Sequence, residues 1–385
     1  MRQNPTRRSI LQNGLLAASA VTLGRLAKNT LGKEEAVGDT AIPFLESLSV
    51  DPKKPMLRWD ALNDWITPAD QFFAVSHYGA AAVAADSYKL TIDGRVTTPI
   101  GLSLDDIRKR PRKDVTATLE CSGNGAGKTF VGAIGNAKWT GTPLAPLLDE
   151  CGIAPDAVEV AFWGADHKVE KIRDADYDQN FARTLSLADA RRDDVILAYE
   201  MNGRPLEVGH GFPLRLIVPG WYGIAWVKWL QRIELREHRL MNRFMARDYV
   251  TIRGKELPGG HVEWTESSVG PLNVKSLVAR AMRRKDGAVV FSGAAWSGLS
   301  PLKAVEVRVD DGPWQPADLD ASHPEPYTWR FWSIDWKDSK PGVHTVVSRA
   351  IDSEGNIQPA ADDPAIKLKK TYWEANQQWP RQFKL

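Results

Sequence analysis

Cysteine is almost absent: 385 residues hold two, Cys121 and Cys151. With no Cys-x-x-Cys pair, a zinc ribbon, a cysteine-bound iron–sulfur cluster and a c-type haem attachment site are excluded. Net charge is nearly absent too, because 50 Lys and Arg face 48 Asp and Glu and leave +2. That balance gives no electrostatic footprint for nucleic acid. No uninterrupted apolar run approaches the roughly 20 residues that span a bilayer, so no membrane anchor is expected. Sequence repeats and low-complexity tracts are also lacking. What remains is ordinary globular usage, 43% apolar and 25% charged, in a chain long enough for two domains, with one unusual count, 15 tryptophans.

The first residues read differently. Thr6-Arg7-Arg8-Ser9-Ile10-Leu11 precedes a mildly apolar run from Gly14 to Leu23, with no acid before Glu34. This pattern reads as a twin-arginine export signal, with a basic amphipathic tail as the plain alternative. Residues 1–40 are therefore expected to be signal and linker, and the protein to be periplasmic. That route carries folded proteins, which suits a cofactor inserted before export.

Further along, Tyr88 to Val96 alternates apolar and polar residues and reads as a strand ending in a turn. Leu102 to Arg108 reads as a short helix opened by Ser103. Val115 to Cys121 is strand-like and runs into Ser122-Gly123-Asn124-Gly125-Ala126-Gly127, so Cys121 sits where a strand breaks into a glycine-rich turn. Leu144 to Cys151 reads as a helix closed by Gly152. Between Val195 and Leu235 lie short strands punctuated by Gly and Pro. Beyond about residue 255 come short alternating segments, 288–296, 304–309, 327–332 and 343–350, the pattern of a β-sandwich. The expected division is 41–255, with the chemistry, and 256–385, the sandwich.

Cys121 alone is ambiguous. A thiolate suits a transition metal, and the following glycines let backbone N–H groups approach a bulky anion. A buried or disulfide-bonded cysteine fits the same spacing. Arg215 interrupts the apolar run Leu214-Arg215-Leu216-Ile217-Val218, and a charge there is costly unless an anion meets it.

Glu120-Cys121-Ser122-Gly123-Asn124 resembles the Glu-Cys-small-Gly-Asn motif of the sulfite oxidase family of molybdopterin-dependent oxidoreductases. Blocks at 198–203, 209–215, 218–220, 227–229, 247–249, 293–298 and 355–359 are similar to family blocks in the same order, so the likeness runs from about residue 60 to 375. The chain looks like an exported, haem-less bacterial member. The resemblance implies an α+β fold: a molybdopterin domain followed by an immunoglobulin-like β-sandwich that makes a homodimer. It implies a molybdenum–molybdopterin cofactor ligated by Cys121, with His77, Asp166, His210, Arg215 and Lys228 binding the pterin and Tyr249 on the substrate side. It also implies oxygen-atom transfer at a molybdenum–oxo centre on a small substrate such as an oxyanion. Electrons would pass to an external cytochrome c or haem subunit, since no internal haem domain is expected.

Departures bear on the substrate. Where sulfite-oxidising members carry arginines, this chain has Val75 and Gly125-Ala126, and their anion-contacting arginine in the second domain corresponds to Lys369. Two missing charge-assisted contacts weaken oxyanion binding by roughly 3 to 6 kcal/mol. A sulfane or other sulfur-compound dehydrogenase subunit, a fold-retaining binding protein without turnover, and a thiol hydrolase using Cys121 with His210 as base are the competing readings.

Overall fold

The structure is a computed structural model that describes residues 39–46, 56–127, 130–337 and 339–385; the twin-arginine motif and the apolar run after it lie outside these. Strands dominate. The α-helices among the described residues, Leu104–Arg108, Ala145–Cys151, Leu187–Ala190, Arg243–Ala246 and Pro364–Lys367, are all short.

The first part of the chain builds two sheets. One runs in the order Arg215–Ile217, Ile196–Met201, Ile134–Pro143, Lys113–Glu120, with antiparallel neighbours. The other runs Ile100–Ser103, Lys89–Gly94, Leu230–Arg236, Glu159–Ile172, Ala175–Ser186, and its only parallel pair is Lys89–Gly94 with Leu230–Arg236. They share a core that includes Leu90, Ile92, Trp139, Phe162, Leu216 and Trp226. The short helix expected from Leu102 begins two residues later, because Leu102 is still in a strand paired with Leu90. Ser103 is the cap: its hydroxyl accepts from the Asp106 N–H and the Asp106 carboxylate accepts from the Ser103 N–H, a reciprocal pair that fixes the helix start. Cys151 is fully buried at the end of its helix, Gly152 follows at φ 68°, and both cysteines are free thiols.

The second part is a β-sandwich. One sheet runs Thr40–Ala41, Lys275–Arg283, Val289–Trp296, Arg330–Trp336, Asp318–Leu319, and the other Gln315–Pro316, Leu302–Val309, Val343–Asp352, Arg381–Lys384. Val289–Trp296, expected to alternate between a buried and an exposed face, is instead buried along its whole length, because both of its faces are covered. Phe291 and Ala295 face the partner sheet, whereas Ala294 and Trp296 face the first part of the chain, where Trp296 stacks on Trp59 with centroids 5.9 Å apart. Leu277 and Ala279 on the neighbouring strand also face the first part. Three of the 15 tryptophans, Trp59, Trp296 and Trp329, are buried in this seam.

The two parts also exchange chain. Thr40–Ala41 pairs with Lys275–Arg283 in the sandwich, and the segment after Pro364–Lys367 returns to the turn that carries Cys121, where the Glu374 N–H donates to the Ser122 carbonyl at 2.8 Å.

Candidate active site

Cys121 follows the last residue of Lys113–Glu120, and its backbone is fully used. Its N–H donates to the Ala133 carbonyl at 2.9 Å, and its own carbonyl accepts from the Asn124 N–H at 2.9 Å. The side chain therefore leaves a pinned turn and lines an open cleft. That cleft brings together His77, Asp166, His210, Arg215, Lys228 and Tyr249 with Cys121, the whole set expected from the resemblance. Burial pushes the Cys121 thiol up to about 11, helped by the Glu120 carboxylate and opposed by Lys275.

Arg215 is buried at the start of Arg215–Ile217, stacks on the Trp139 ring at 4.8 Å, and donates to the carbonyls of His210 at 2.8 Å and Trp226 at 3.2 Å. No carboxylate meets it among the described residues, its Nε is left without a partner, and burial pulls it down to about 9. Lys228 donates to the carbonyls of Val75 at 3.0 Å and Gly209 at 3.2 Å, and burial with Arg215 close by lowers it to about 7. Gly211 makes this crowding possible. It adopts φ 105°, and a Cβ there would lie 3.0 Å from the Lys228 Cβ and 3.2 Å from the Arg215 Cβ. His210 stands edge-on to Phe72 and reaches the Ala69 carbonyl at 3.3 Å, with burial lowering its pKa.

Asp166 sits at an irregularity in the pairing of Glu159–Ile172 with Ala175–Ser186. It is buried, its Oδ1 has no partner, and burial raises it to about 6. His77 lies 3.9 Å from Asp248, edge-on to Phe244, and burial lowers its pKa. Tyr249 stacks on Trp373 with centroids 4.3 Å apart, and burial raises its phenol, so the hydroxyl keeps its proton at neutral pH and can donate.

The donor set fits a pterin-bound molybdenum group. A soft sulfur lines the cleft together with Arg215, Lys228 and His210, none of which makes an ion pair within 4 Å among the described residues. Unpaired buried polar atoms, Arg215 Nε, Asp166 Oδ1 and Ser122 Oγ, are the kind of group that a bound polar ligand satisfies.

Lys369 departs from expectation. It does not line this cleft; its Nζ donates to the Trp373 carbonyl at 2.7 Å, and it lines a separate cavity with Arg253, Asn273 and Asp352. The short span after Pro364–Lys367 folds its ammonium back onto its own segment, so chain order gave the position but not the direction. Gly125 could not hold an arginine without strain, since it has φ 88°. The thiol hydrolase reading also weakens, because His210 turns its Nε2 to Ala69 and the Cys121 thiol stays protonated.

Sequence reasoning missed several residues here. Arg183 is fully buried and donates to the carbonyls of Phe244 and Val269, the two sides of the backbone around Tyr249. It interrupts the run Phe181-Ala182-Arg183-Thr184-Leu185 as Arg215 interrupts its own, so the same rule would have found it. Arg243 bridges Glu170 and Asp248 at the rim, and no local pattern announces it.

The titration of Lys228 yields a test. Its folded pKa, about 7, lies below the ordinary 10.5, so between those values the unfolded chain binds more protons and stability of the cofactor-free chain rises with pH. Anion affinity runs the other way. Sulfate, a dianion throughout, should bind the cofactor-free cleft below about pH 7 and weaken above it, measured by calorimetric titration, and Lys228→Met should flatten that dependence.

Residues 77–244 match the oxidoreductase molybdopterin binding domain family, and residues 268–373 match the Mo-co oxidoreductase dimerisation domain. The chain belongs to the sulfite oxidase family of molybdopterin-dependent oxidoreductases. It is 32% identical to the sulfite oxidase of Arabidopsis thaliana over 355 residues, covering 82% of this chain and 89% of that protein. It is 30% identical to mitochondrial sulfite oxidase of Rattus norvegicus over 340 residues, 80% of this chain but only 60% of the length of that relative. In structure it is similar to the sulfane dehydrogenase SoxCD of Paracoccus pantotrophus, with a TM-score of 0.73 and 26% identity over 97% of this chain and 93% of that one. The dimerisation-domain match supports a homodimer.

Proposed function

We propose that this chain is a periplasmic homodimeric enzyme, exported by the twin-arginine route, that oxidises a small sulfur compound and passes the electrons to an external cytochrome c or haem subunit. The observation that carries the reading is that Cys121, Arg215, Lys228 and His210 line one cleft, with the Arg215 cation meeting no carboxylate among the described residues. When bound, a molybdenum–pterin group supplies two-electron redox chemistry coupled to transfer of an oxygen atom. The residues divide the remaining work. Cys121 offers the sulfur ligand to the metal. Arg215 and Lys228, with His210, would hold the anionic end of the pterin, where low dielectric would strengthen each contact. Asp166, whose buried Oδ1 has no partner, would accept a hydrogen bond from the pterin. Tyr249, fixed in direction by its stack on Trp373, holds a proton that it can donate to a substrate oxygen.

Substrate choice follows from what the mouth lacks. Val75 lines the cleft as an apolar, exposed side chain, and Lys369 is turned away. Sulfite, dianionic at alkaline pH, should therefore bind poorly, and a less charged sulfur compound should be preferred; the likeness to a sulfane dehydrogenase supports that preference. Steady-state turnover with a panel of sulfur compounds and cytochrome c as acceptor tests the proposal, with metal analysis of the same preparation. Val75→Arg adds one charge-assisted contact and should lower the KM for sulfite by about tenfold or more at fixed ionic strength. A parent that already binds sulfite at micromolar levels and gains nothing from the arginine would contradict this account of the pocket.

A further inference from the structure

The seam between the two parts contains a buried charged group that no step above uses. Glu120, the residue immediately before Cys121, is fully buried, yet its carboxylate is saturated. Oε1 accepts from Lys275 Nζ at 2.5 Å and from Asn124 Nδ2 at 2.9 Å, and Oε2 accepts from Trp296 Nε1 at 2.7 Å. Lys275 and Trp296 are directly paired across two neighbouring sandwich strands, so both long-range donors come from one spot on the second domain. Asn124 carries the connection onward: its Oδ1 accepts from the Ala133 N–H at 3.0 Å, and Ala133 in turn accepts the Cys121 N–H. Lys275 Nζ also reaches the Asn124 carbonyl at 3.4 Å.

Resting on the assignment of Cys121 as metal ligand, we infer that Lys275 is a positioning residue for Cys121, acting from the sandwich domain through Glu120 and Asn124. The sandwich thus has a second task beside dimerisation: it sets the turn from which the sulfur is presented. A neutral, locally supplied hydrogen bond would close the same turn. An ion pair drawn from another domain makes the turn's geometry depend on domain contact, because a buried carboxylate stripped of its cation cannot stay where it is without penalty.

The test compares parent holoenzyme with Lys275→Met, the neutral pair Glu120→Gln/Lys275→Met, and Trp296→Phe. In Lys275→Met the molybdenum EPR signal should shift and broaden and kcat should fall about tenfold with KM changed less than about twofold. Amide exchange in the peptide around residues 119–126 should speed up about tenfold while peptides from the Leu90 strand stay protected. The neutral pair should recover the signal and most of kcat, and Trp296→Phe should show a smaller change of the same kind. Lys275→Met and Trp296→Phe with the parent signal and parent exchange, whatever their melting temperatures, would overturn the inference; so would a neutral pair as impaired as the single variant. If Lys275→Met fails to fold, an unaltered Trp296→Phe suffices to overturn it. A parent without molybdenum counts against the proposed function alone, since the exchange comparison on the metal-free chain still decides the positioning of the turn.

Discussion

Cys121→Ser is expected to lose turnover by about a thousandfold or more, about 4 kcal/mol in the barrier, with the fold retained. The backbone at residue 121 is held by Ala133 and Asn124 whichever side chain it carries, and serine is near-isosteric. What changes is the donor atom. A hydroxyl is a harder ligand than a thiol and keeps its proton far more firmly, so it replaces the sulfur poorly. The pterin end of the cleft is untouched, so cofactor content should fall much less than activity. Steady-state kinetics normalised to molybdenum, with a thermal melt of each protein, check this. A variant retaining more than about a tenth of parental turnover per molybdenum would contradict thiolate ligation.

Arg215→Met is expected to move stability and cofactor content in opposite directions. Arg215 is a buried cation with two carbonyl partners, an unpaired Nε and no carboxylate in the described structure. Without a bound anion, that arrangement carries a desolvation cost that methionine of similar length avoids, so the cofactor-free variant should melt no lower than the parent. With the cofactor, one charge-assisted contact is lost, about 1.5 to 3 kcal/mol, or roughly 10- to 100-fold in affinity. Melting curves of the cofactor-free proteins, together with pterin and molybdenum content as purified, read both arms. If cofactor-free Arg215→Met were strongly destabilised while holo content stayed at the parent level, Arg215 would be a structural cation and not a pterin contact.

The physical reasons for what the sequence revealed differ from residue to residue. Cys121 and Arg215 stood out because each breaks a local pattern, one ending a strand in a glycine-rich turn and the other placing charge in an apolar run, but the pattern left Cys121 ambiguous and the family resemblance assigned both their roles. The sandwich strands were legible from their period and turns, although the fully buried Val289–Trp296 hides its two faces. Helix onset at Ser103 was read slightly early, because Leu102 is apolar in either element and only the reciprocal Ser103–Asp106 cap decides. The meeting of Lys275 and Trp296 with Glu120 was not legible, since it spans 155 and 176 residues of chain and no local signal encodes it. Lys369 shows the limit of reading by order: its place in the chain matches, and its ammonium points elsewhere.

X-ray absorption at the molybdenum edge of the purified protein, beside Cys121→Ser, decides whether Cys121 ligates the metal. Molybdenum is expected in the parent, with a coordination shell that has one sulfur fewer in the variant. A parent free of molybdenum, or identical sulfur shells in the two proteins, would contradict it.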